Sequence, residues 1–581
     1  MPIYIGIHTF YDPESRATLI HDWRAPVSSM FYDHELGEAG YRSPSGEIKG
    51  EISLKRQYRI RGGKMEFMIE SALTVHDDIL QKELSSNADD KMKNIVATIQ
   101  REQNKIIRND TSNTLIIQGV AGSGKTSIAL HRVAYLLYRH KGEITSNDIL
   151  IISPNKVFAD YISNVLPELG EEKIEECGFE ELMLKILDNK YKIQTFFDQV
   201  AEILDKEEEN FIERIRFKST TEFIQQMDKY ILYLEQNAFR PTDLKAGRIP
   251  IPAEYLKERF AAWHRLPMRS RFQPMAEEIA RELTFTYHQE PMGKIQIRQL
   301  GNELKKMFNN KDLDLYKGFY DWLGKPEMFK QGKNRKLEYA DVAPLLYLKL
   351  ALEDNKTMYG IKHLLVDEMQ DYTPIQYKVL AKLFPCRKTI LGDAKQSVNP
   401  YSSTTCEQIQ RVLVGSEVMK LCKSYRSTYE ITEFAQRIAK NEELEAIERH
   451  GEEPAVALLP TEKKEIEWIE NLITSFLKGA DVSMGIICKT VKQADKLYAA
   501  INHLSDKICL LTEESVAFVN GVVITTAHMA KGLEFDEVIV PFVTDKDYRT
   551  EIDRSMLYVA CTRAMHKLYI SASGNISTFL S

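Results

Sequence analysis

The sequence lacks the cysteine pattern of a disulfide framework or of a zinc site. Its 581 residues include seven cysteines, an odd number, and no two of them form a CxxC pair. Scattered cysteines of this kind are typical of a reducing compartment and argue against a structural zinc site. We therefore expect a cytoplasmic protein.

Long apolar runs and a leader-like start are lacking too. No apolar run reaches the roughly 18 residues that a membrane span requires, and MPIYIGIHTFYDPE has neither the basic start nor the apolar core of a signal peptide. A membrane partner is therefore not expected. The net charge of −7 excludes a broad basic coat for nucleic acid, but it leaves room for a local basic groove.

Internal repeats are also absent, and the length of the chain argues for two or more domains. Short apolar segments recur between helical patterns, which indicates parallel sheets of the α/β class. They form two clusters, over 113–393 and 483–572, so the sequence predicts two α/β domains. Between them lies a stretch in which only helical patterns are found, and the N-terminal part alternates short apolar strands with turns.

These patterns predict five segments. We expect a β-rich N-terminal segment over 1–90, a first α/β domain over 91–170 and 341–410, a helical insertion in that domain over 171–340, and a second α/β domain over 411–581.

The stretch GVAGSGKT, residues 119–126, is a complete phosphate-loop signature after the apolar strand NTLIIQGV. Glycines allow backbone N–H groups to close around phosphates, the lysine reaches the β and γ phosphates, and the threonine hydroxyl binds Mg²⁺. The sequence therefore predicts a site for a nucleoside triphosphate with Mg²⁺. Its predicted residues are Gly119, Gly122, Ser123, Gly124, Lys125 and Thr126.

Acidic residues end the apolar strand in LLVDEMQD, residues 364–371. A carboxylate at the end of a buried strand can hold Mg²⁺ through its water shell, and Asp367 is the candidate. The adjacent Glu368 can orient and deprotonate an attacking water. A solvated acidic loop is the alternative, which the upstream phosphate loop disfavours.

Three further polar residues suit the γ-phosphate. Gln396 in LGDAKQS could sense the phosphate or the attacking water, because an amide both donates and accepts hydrogen bonds. Arg426 in SYRS and Arg563 in YVACTRA could stabilise charge that develops at the γ-phosphoryl group. If both face the nucleotide across an interdomain cleft, hydrolysis is coupled to domain closure. A lone arginine is more often part of a surface ion pair.

Together these motifs form a family pattern. The order GVAGSGKT, DEMQD, GDAKQ, YRS, TAHMAKGLEF and YVACTRA resembles that of the UvrD/Rep-like superfamily 1 helicases, from about 98 to 570 outside the insertion. The resemblance implies two RecA-like P-loop NTPase domains with parallel sheets that bind ATP and Mg²⁺ between them. HDWRAPVSSMFY (21–32) and SPNKVFADYISNVLPELGE (153–171) resemble the HelD branch, bacterial helicases associated with RNA polymerase. The long N-terminal coiled coil of that branch is expected to be lacking here.

The resemblance also implies roles at the nucleotide. Gln103 matches the glutamine that reads the adenine edge, Tyr425 the residue that stacks on the base, and Glu534 the residue that hydrogen-bonds the ribose. Arg426 matches the contact to the γ-phosphate and Arg563 the second arginine finger. Lys125, Glu368 and the remaining residues keep the roles given above.

The resemblance implies nucleic-acid contacts at three positions and a coupling role at a fourth. Gln396 matches the residue that couples the nucleotide state to the nucleic acid, and Tyr401 stands where these helicases usually stack a base on Trp. His528 and Asn155 match backbone-contact positions more loosely. The segment AAWHRLPMRSRF, residues 261–272, could grip nucleic acid, but a solvated face with core aromatics is the blander interpretation.

Three functions remain open at this point. The first is an ATP-driven DNA helicase or translocase that acts on single-stranded or tailed DNA, with 3′ to 5′ polarity taken from the resemblance. The second is a HelD-like factor that binds core RNA polymerase and releases it from nucleic acid, favoured because the interval 427–524 is too short for the domain that UvrD-type enzymes insert there. A small-molecule kinase is the third, and the acidic box and paired arginines disfavour it.

Overall fold

The computed structural model describes residues 2–43, 45–70, 90–153, 167, 171–206, 208–246, 249–286, 288, 290–308, 311–353, 358, 360–512, 515 and 521–580. The N-terminal piece is β-rich, as predicted. Its elements are the strands Ile5–Gly6, Phe10–Tyr11, Thr18–Asp22, Gly37–Ser43, Gly46–Ile52, Arg56–Arg61 and Lys64–Glu70, with the short helix Ser29–Asp33. The first three strands form one small sheet, and the other four form two antiparallel hairpins.

Trp23 and Arg24 fasten this piece to the first α/β domain. The Trp23 ring lies 5.7 Å from the ring of His131 in an edge-on contact, and its carbonyl accepts a hydrogen bond from Arg108 at 2.9 Å. The guanidinium carbon of Arg24 lies over the ring of Tyr138 in the first domain, 4.9 Å from the ring centroid. Because both side chains are buried, the two units share one packed interface.

The first α/β domain is built on a parallel six-stranded sheet. Its strands are β1 Thr114–Gly119, β2 Ile149–Ile152, β3 Glu175–Cys177, β4 His363–Val366, β5 Arg387–Gly392 and β6 Glu417–Leu421, in the order β3-β2-β4-β5-β1-β6. The central strands are apolar and fully buried, as expected for a parallel sheet covered by helices on both faces. The flanking helices are Asp90–Ile107, Lys125–Arg139, Tyr339–Leu352, Pro374–Leu383 and Cys406–Val412.

The second α/β domain repeats this plan. Its strands are β7 Ala455–Leu459, β8 Ser483–Cys488, β9 Ile508–Leu510, β10 Gly521–Thr526, β11 Phe535–Val540 and β12 Ala564–Ser573, in the order β7-β12-β11-β8-β10-β9, all parallel. Its helices are Tyr429–Ile438, Glu462–Phe476, Val491–Ile501 and Glu551–Cys561. A two-residue parallel pair, Lys423–Ser424 with Glu445–Ala446, precedes this sheet.

Most of the insertion is helical. Its helices are Phe179–Ile186, Phe196–Lys206, Glu209–Lys218, Thr221–Asn237, Ala253–Ala262, Phe272–Thr286, Lys294–Lys306 and Asp312–Leu323, and a small antiparallel pair joins Leu244–Ala246 to Ile249–Ile251. Two features differ from the segment boundaries expected above. Strand β3 lies beyond 170 yet extends the first sheet, and β6 lies beyond 410 yet pairs with β1. Both are edge strands, whose mixed burial gives only a weak apolar signal.

Buried ion pairs fix the insertion to the first α/β domain. From the helix Glu209–Lys218, Arg214 pairs with Glu338 at 2.6 Å and Lys218 with Asp341 at 2.7 Å. The hydroxyl of Tyr316 donates to Asp341 at 2.6 Å. Removing one partner of such a buried pair costs about 3–5 kcal/mol, because a charge is then left uncompensated. This helix is therefore held in one position. In the part of the chain that the structure describes, no helix is both long enough and apolar enough to cross a membrane.

Candidate active site between two α/β domains

The phosphate loop joins the end of β1 to the helix Lys125–Arg139. Gly122 and Gly124 have φ angles of 68° and 75°, a region that glycine adopts without strain. The Lys125 ammonium donates to the carbonyl of Val120 at 3.0 Å, so it points back into the loop where a phosphate would lie. Burial lowers the pKa of Lys125, against the opposing charges of nearby carboxylates. The loop geometry therefore suits a polyphosphate at a helix N-terminus.

The segment around Tyr425 packs against this loop and hydrogen-bonds to it. The backbone N–H groups of Tyr425 and Arg426 donate to the carbonyl of Gly122 at 3.1 Å and 3.3 Å. The Tyr425 hydroxyl lies so close to Gly124 that a Cβ built on that glycine would collide with it. Gln103 donates from Nε2 to the same hydroxyl at 3.3 Å. Two residues that the resemblance assigned to adenine are thus in contact, with the Tyr425 ring buried in this arrangement.

Three carboxylates gather at the carboxyl ends of β4 and β5. Asp367, Glu368 and Asp393 follow these strands and lie near Lys125. Burial and the charge of Glu368 raise the pKa of Asp367 well above its usual range. Burial would also raise the pKa of Glu368, but the positive charges of Lys531, Lys125 and Arg563 outweigh it and hold that pKa below its ordinary value. The two adjacent carboxylates are thus shifted in opposite directions, because the nearby cations act most strongly on Glu368.

A chain of hydrogen bonds connects Glu368 to the second domain. Gln370 donates to Glu368 at 2.7 Å and accepts from the backbone of Asp393 at 3.0 Å. Gln396 donates to Asp393 at 3.1 Å and accepts from Arg563 Nη2 at 2.5 Å. The amides can make both bonds because each carries a donor and an acceptor. The predicted Gln396 and Arg563 are thus in direct contact across the domain interface.

A second interdomain contact lies beside the first. Lys531 in the second domain donates to both carboxylate oxygens of Asp371 at 2.7 Å, and it lies 3.7 Å from Glu368 Oε2. Both partners of the main pair are buried. Burial raises the pKa of Asp371 to about 6, with the charge of Lys531 opposing the rise. This ammonium lies between two carboxylates of the first domain.

Arg426 and Glu534 form an ion pair of 2.5 Å. The resemblance assigned the first to the γ-phosphate and the second to the ribose. The structure brings both to one place beside the phosphate loop, since the Arg426 backbone also hydrogen-bonds Gly122. In this arrangement each is the partner of the other.

The residues predicted to contact nucleic acid lie in different surroundings. Tyr401 is half-buried, with the guanidinium carbon of Arg216 4.5 Å from its ring centroid. His528 is buried, and burial lowers its pKa to about 4. Asn155 lies outside the described residues.

The basic segment 261–272 serves the interior of the insertion. Arg271 pairs with Glu235 and Arg269 with Asp312, at 2.6 Å and 2.5 Å; Arg271 is buried and the Arg269 side chain is 8% exposed. The indole of Trp263 donates to Glu278 at 2.9 Å. These two arginines therefore form ion pairs within the protein, and they are not part of the solvated face that the blander interpretation expected.

Sequence reasoning missed four members of the site. They are Gln370, Asp371, Asp393 and Lys531, all of them buried. Their signal was present, because the first two stand inside DEMQD, the third is the second residue of GDAKQ and the last lies in HMAKG. Local patterns did not predict how they pair, least of all Asp371 with Lys531 across the domain interface.

Family models match the chain in three successive regions. The model of the DNA helicase IV HelD N-terminal domain matches residues 1–88. The UvrD/REP helicase N-terminal domain matches residues 99–413, and the UvrD-like helicase C-terminal domain matches residues 521–571.

Individual relatives match shorter stretches. A protein of Acanthamoeba polyphaga mimivirus, provisionally named an ATP-dependent DNA helicase, is 26% identical over 282 residues, which is 42% of this chain and 39% of the relative. The ATP-dependent DNA helicase srs2 of Schizosaccharomyces pombe is 30% identical over 149 residues, 24% of this chain and 17% of that protein. The chain thus spans well under half the length of either relative. A solved C-terminal domain of a possible DNA helicase from Lactobacillus plantarum is 31% identical, with a TM-score of 0.24, and covers 27% of this chain and 92% of that domain.

The fold and the site define a two-domain phosphate-loop NTPase. Since the largest match covers more than half of its length, the chain belongs to the UvrD/REP helicase family. It carries a HelD-type N-terminal domain as well. The predicted family, the α/β fold class with two parallel sheets, and the enzyme class of ATPase and helicase are therefore confirmed at the level of the family.

Proposed function

We propose that the chain is an Mg²⁺-ATP-driven motor that acts on single-stranded DNA, with 3′ to 5′ polarity. The observation that carries the proposal is the chain of hydrogen bonds from Glu368 through Gln370, Asp393 and Gln396 to Arg563. It joins Glu368, the proposed general base in the first domain, to Arg563 in the second. A nucleotide that changes the contacts at either end therefore affects both domains, which is the requirement for a motor.

In this proposal the chain's own residues carry the hydrolysis step. Lys125 binds the β and γ phosphates, and Glu368 accepts the proton of the water that attacks the γ-phosphorus as the bond to the ADP oxygen breaks. Arg426 and Arg563 offset the charge that develops on the phosphoryl oxygens. For that contact Arg426 must exchange Glu534 for phosphate, and Glu534 becomes available to the ribose. Gln103 and Tyr425 bind the adenine of the nucleotide.

The magnesium site is part of the same proposal. Mg²⁺ in nucleotide sites keeps several waters and uses one or two protein oxygens plus phosphates, which fits Asp367 with the Thr126 hydroxyl. When bound, the ion would neutralise charge on the phosphate oxygens.

Directional movement on DNA tests the proposal. A motor of 3′ to 5′ polarity displaces streptavidin from a 5′-biotinylated oligodeoxynucleotide faster than from a 3′-biotinylated one, in the presence of ATP. Lys125→Ala is the matched control and should displace neither. Equal rates at both ends, or displacement that survives in Lys125→Ala, contradict the proposal. Transfer of the phosphate to a small molecule instead of water would favour a kinase.

A second candidate function is release of RNA polymerase from nucleic acid. It is favoured by the HelD N-terminal domain match over residues 1–88. The test is co-elution with core RNA polymerase in gel filtration, with a HelD protein that contains the coiled coil as control. Co-elution, together with polymerase-stimulated ATP hydrolysis, supports this candidate. Failure to co-elute where the control does so rules it out.

A further inference from the structure

The helical insertion contacts two of the three side chains that the sequence assigned to nucleic-acid contact, one in each α/β domain. Arg216 lies over the ring of Tyr401, with its guanidinium carbon 4.5 Å from the centroid. The ring of Phe197 lies 5.6 Å from the ring of His528, at an interplanar angle of 40°. Two insertion side chains thus lie on the residues that a DNA strand would contact.

Arg216 is held over Tyr401 by the rest of its helix. Arg214 and Lys218 are on the helix Glu209–Lys218 too, and their buried ion pairs with Glu338 and Asp341 fix that helix to the first domain. The Arg216 side chain is itself 54% exposed. Because the helix cannot roll without breaking buried pairs, only this side chain need move to uncover the ring.

The contact to the second domain comes from the neighbouring helix Phe196–Lys206. Phe197 stands at its start against His528, and Asp205 near its end lies 3.7 Å from Lys492 of the second domain. The Asp205–Lys492 pair is exposed, so solvent screens it and it contributes little. The link between this helix and the second domain is therefore weak enough to open.

His528 lacks a full set of partners beneath Phe197. Its Nε2 lies 3.1 Å from the hydroxyl of Thr526, whereas its buried Nδ1 has no hydrogen-bond partner within the described ranges. Leaving a buried polar atom unpaired costs about 1–3 kcal/mol. A phosphate oxygen or base edge on this side of the ring would supply the missing partner.

We infer that the insertion is a cover over the nucleic-acid track, in which Phe197 and Arg216 occupy the faces of His528 and Tyr401 that single-stranded DNA must take. The inference rests on the proposed function, since it presupposes that DNA binds there. A single arginine side chain that is itself half exposed adds only a modest contact to the Tyr401 ring, whereas a stacked base can contribute more. DNA can therefore displace the cover, which lowers the apparent affinity without abolishing binding.

Removal of the two covering side chains tests the inference. The Kd of a fluorescein-labelled oligodeoxythymidine would be measured by anisotropy for the wild type, Phe197→Ala, Arg216→Ala and the double variant. We expect a Kd about 3- to 10-fold lower for the double variant, with ATP hydrolysis in the absence of DNA unchanged. Loss of a positive charge alone would weaken DNA binding, so tighter binding by Arg216→Ala cannot come from general electrostatics. Weaker binding by Arg216→Ala with no change in Phe197→Ala would overturn the inference and make Arg216 a DNA ligand.

A charge swap tests the link to the second domain without touching either covered residue. Lys492→Glu places two like charges at the contact with Asp205 and should tighten DNA binding in the same direction. The swapped pair Asp205→Lys with Lys492→Glu restores opposite charges and should return the Kd to that of the wild type. A Lys492→Glu variant that binds DNA no tighter than the swapped pair would speak against a cover tethered at this point.

Tyr401→Ala separates failure of the cover from failure of the track. If the wild type binds DNA, Tyr401→Ala binds it less tightly, and the double variant gains nothing, only the cover is overturned. If no form of the chain binds DNA while ATP is still hydrolysed, the DNA track fails and the cover fails with it.

Discussion

Lys531 of the second α/β domain donates to both carboxylate oxygens of Asp371 in the first, at 2.7 Å each, with its ammonium 3.7 Å from Glu368. The contact joins residues 160 positions apart in the sequence. It places a second-domain cation beside the proposed catalytic base, where its charge helps to keep Glu368 ionised. One side chain thus both contacts the first domain and lies beside the proposed base.

Lys531→Met should lower the DNA-stimulated kcat of ATP hydrolysis at least about tenfold, because it removes a buried charge worth several kcal/mol to its partners. Lys531→Met combined with Asp371→Asn should recover part of the loss, since no uncompensated carboxylate then remains at that contact. Initial rates over a range of ATP concentrations give kcat and KM separately. Equal losses in the single and double variants would show that the pair itself is not what matters.

Arg563→Ala should reduce kcat by about 10³-fold, the range of arginine fingers in phosphoryl transfer, with a smaller effect on the Kd of ATP. Arg563→Lys should not restore the rate, because an ammonium cannot reproduce the planar contacts that the guanidinium makes to Gln396 and the phosphate. Single-turnover hydrolysis and binding of a fluorescent ATP analogue report the two quantities. An Arg563→Ala enzyme with nearly normal kcat would show that Arg563 has no role in the hydrolysis step.

Gly124→Ala should abolish nucleotide binding. Its φ of 75° is strained for any L-residue, and the new Cβ would collide with the Tyr425 hydroxyl. Adding Tyr425→Phe removes the colliding oxygen and should restore binding in part, while the backbone strain persists. Isothermal titration with ADP measures this. No improvement in the double variant would mean that the close approach of Tyr425 is not what limits the loop.

The stability of the chain should depend on pH through His363. This residue is buried in β4, with its Nε2 3.0 Å from the Thr389 hydroxyl. Burial is the main cause that lowers its pKa to about 3, and nearby positive charges lower it further. Its unfolded pKa is about 6.5, so below that pH the unfolded state binds a proton that the folded state does not. The free energy of unfolding should therefore fall by up to about 1.4 kcal/mol per pH unit between pH 6.5 and 3.

His363→Asn is the control for that dependence. Urea unfolding of the wild type and of this variant at pH 7, 6 and 5 isolates the contribution of the histidine, since the other groups are common to both. The difference between the two free energies should shift with pH in favour of the variant as the solution is acidified. Parallel curves would contradict a neutral, buried His363.

Local patterns were sufficient to predict much of the fold and the motifs at its site. The phosphate loop, the acidic box and the alternation of strands and helices each depend on residues close in sequence, and the two parallel sheets follow from them. Edge strands β3 and β6 were not predicted, because their half-exposed residues carry little apolar signal. Their place in the sheet depends on pairing with distant strands.

Pairings between residues far apart in the sequence could not be predicted in the same way. Arg426 and Glu534 were each expected at the nucleotide, and no local pattern indicates that they pair with each other. The same holds for Arg216 over Tyr401, because the insertion has no recognised motif and its contacts depend on how its helices pack. Such contacts can be identified only in the folded structure.

Steady-state ATP hydrolysis by the chain, with and without single-stranded DNA, tests the central claim most directly. If the two domains close on ATP in response to DNA, the kcat should rise severalfold with oligodeoxythymidine, and neither Lys125→Ala nor Arg563→Ala should show that rise. A rate that DNA leaves unchanged in the wild type, while ATP is hydrolysed, would contradict an ATP-driven motor that acts on DNA.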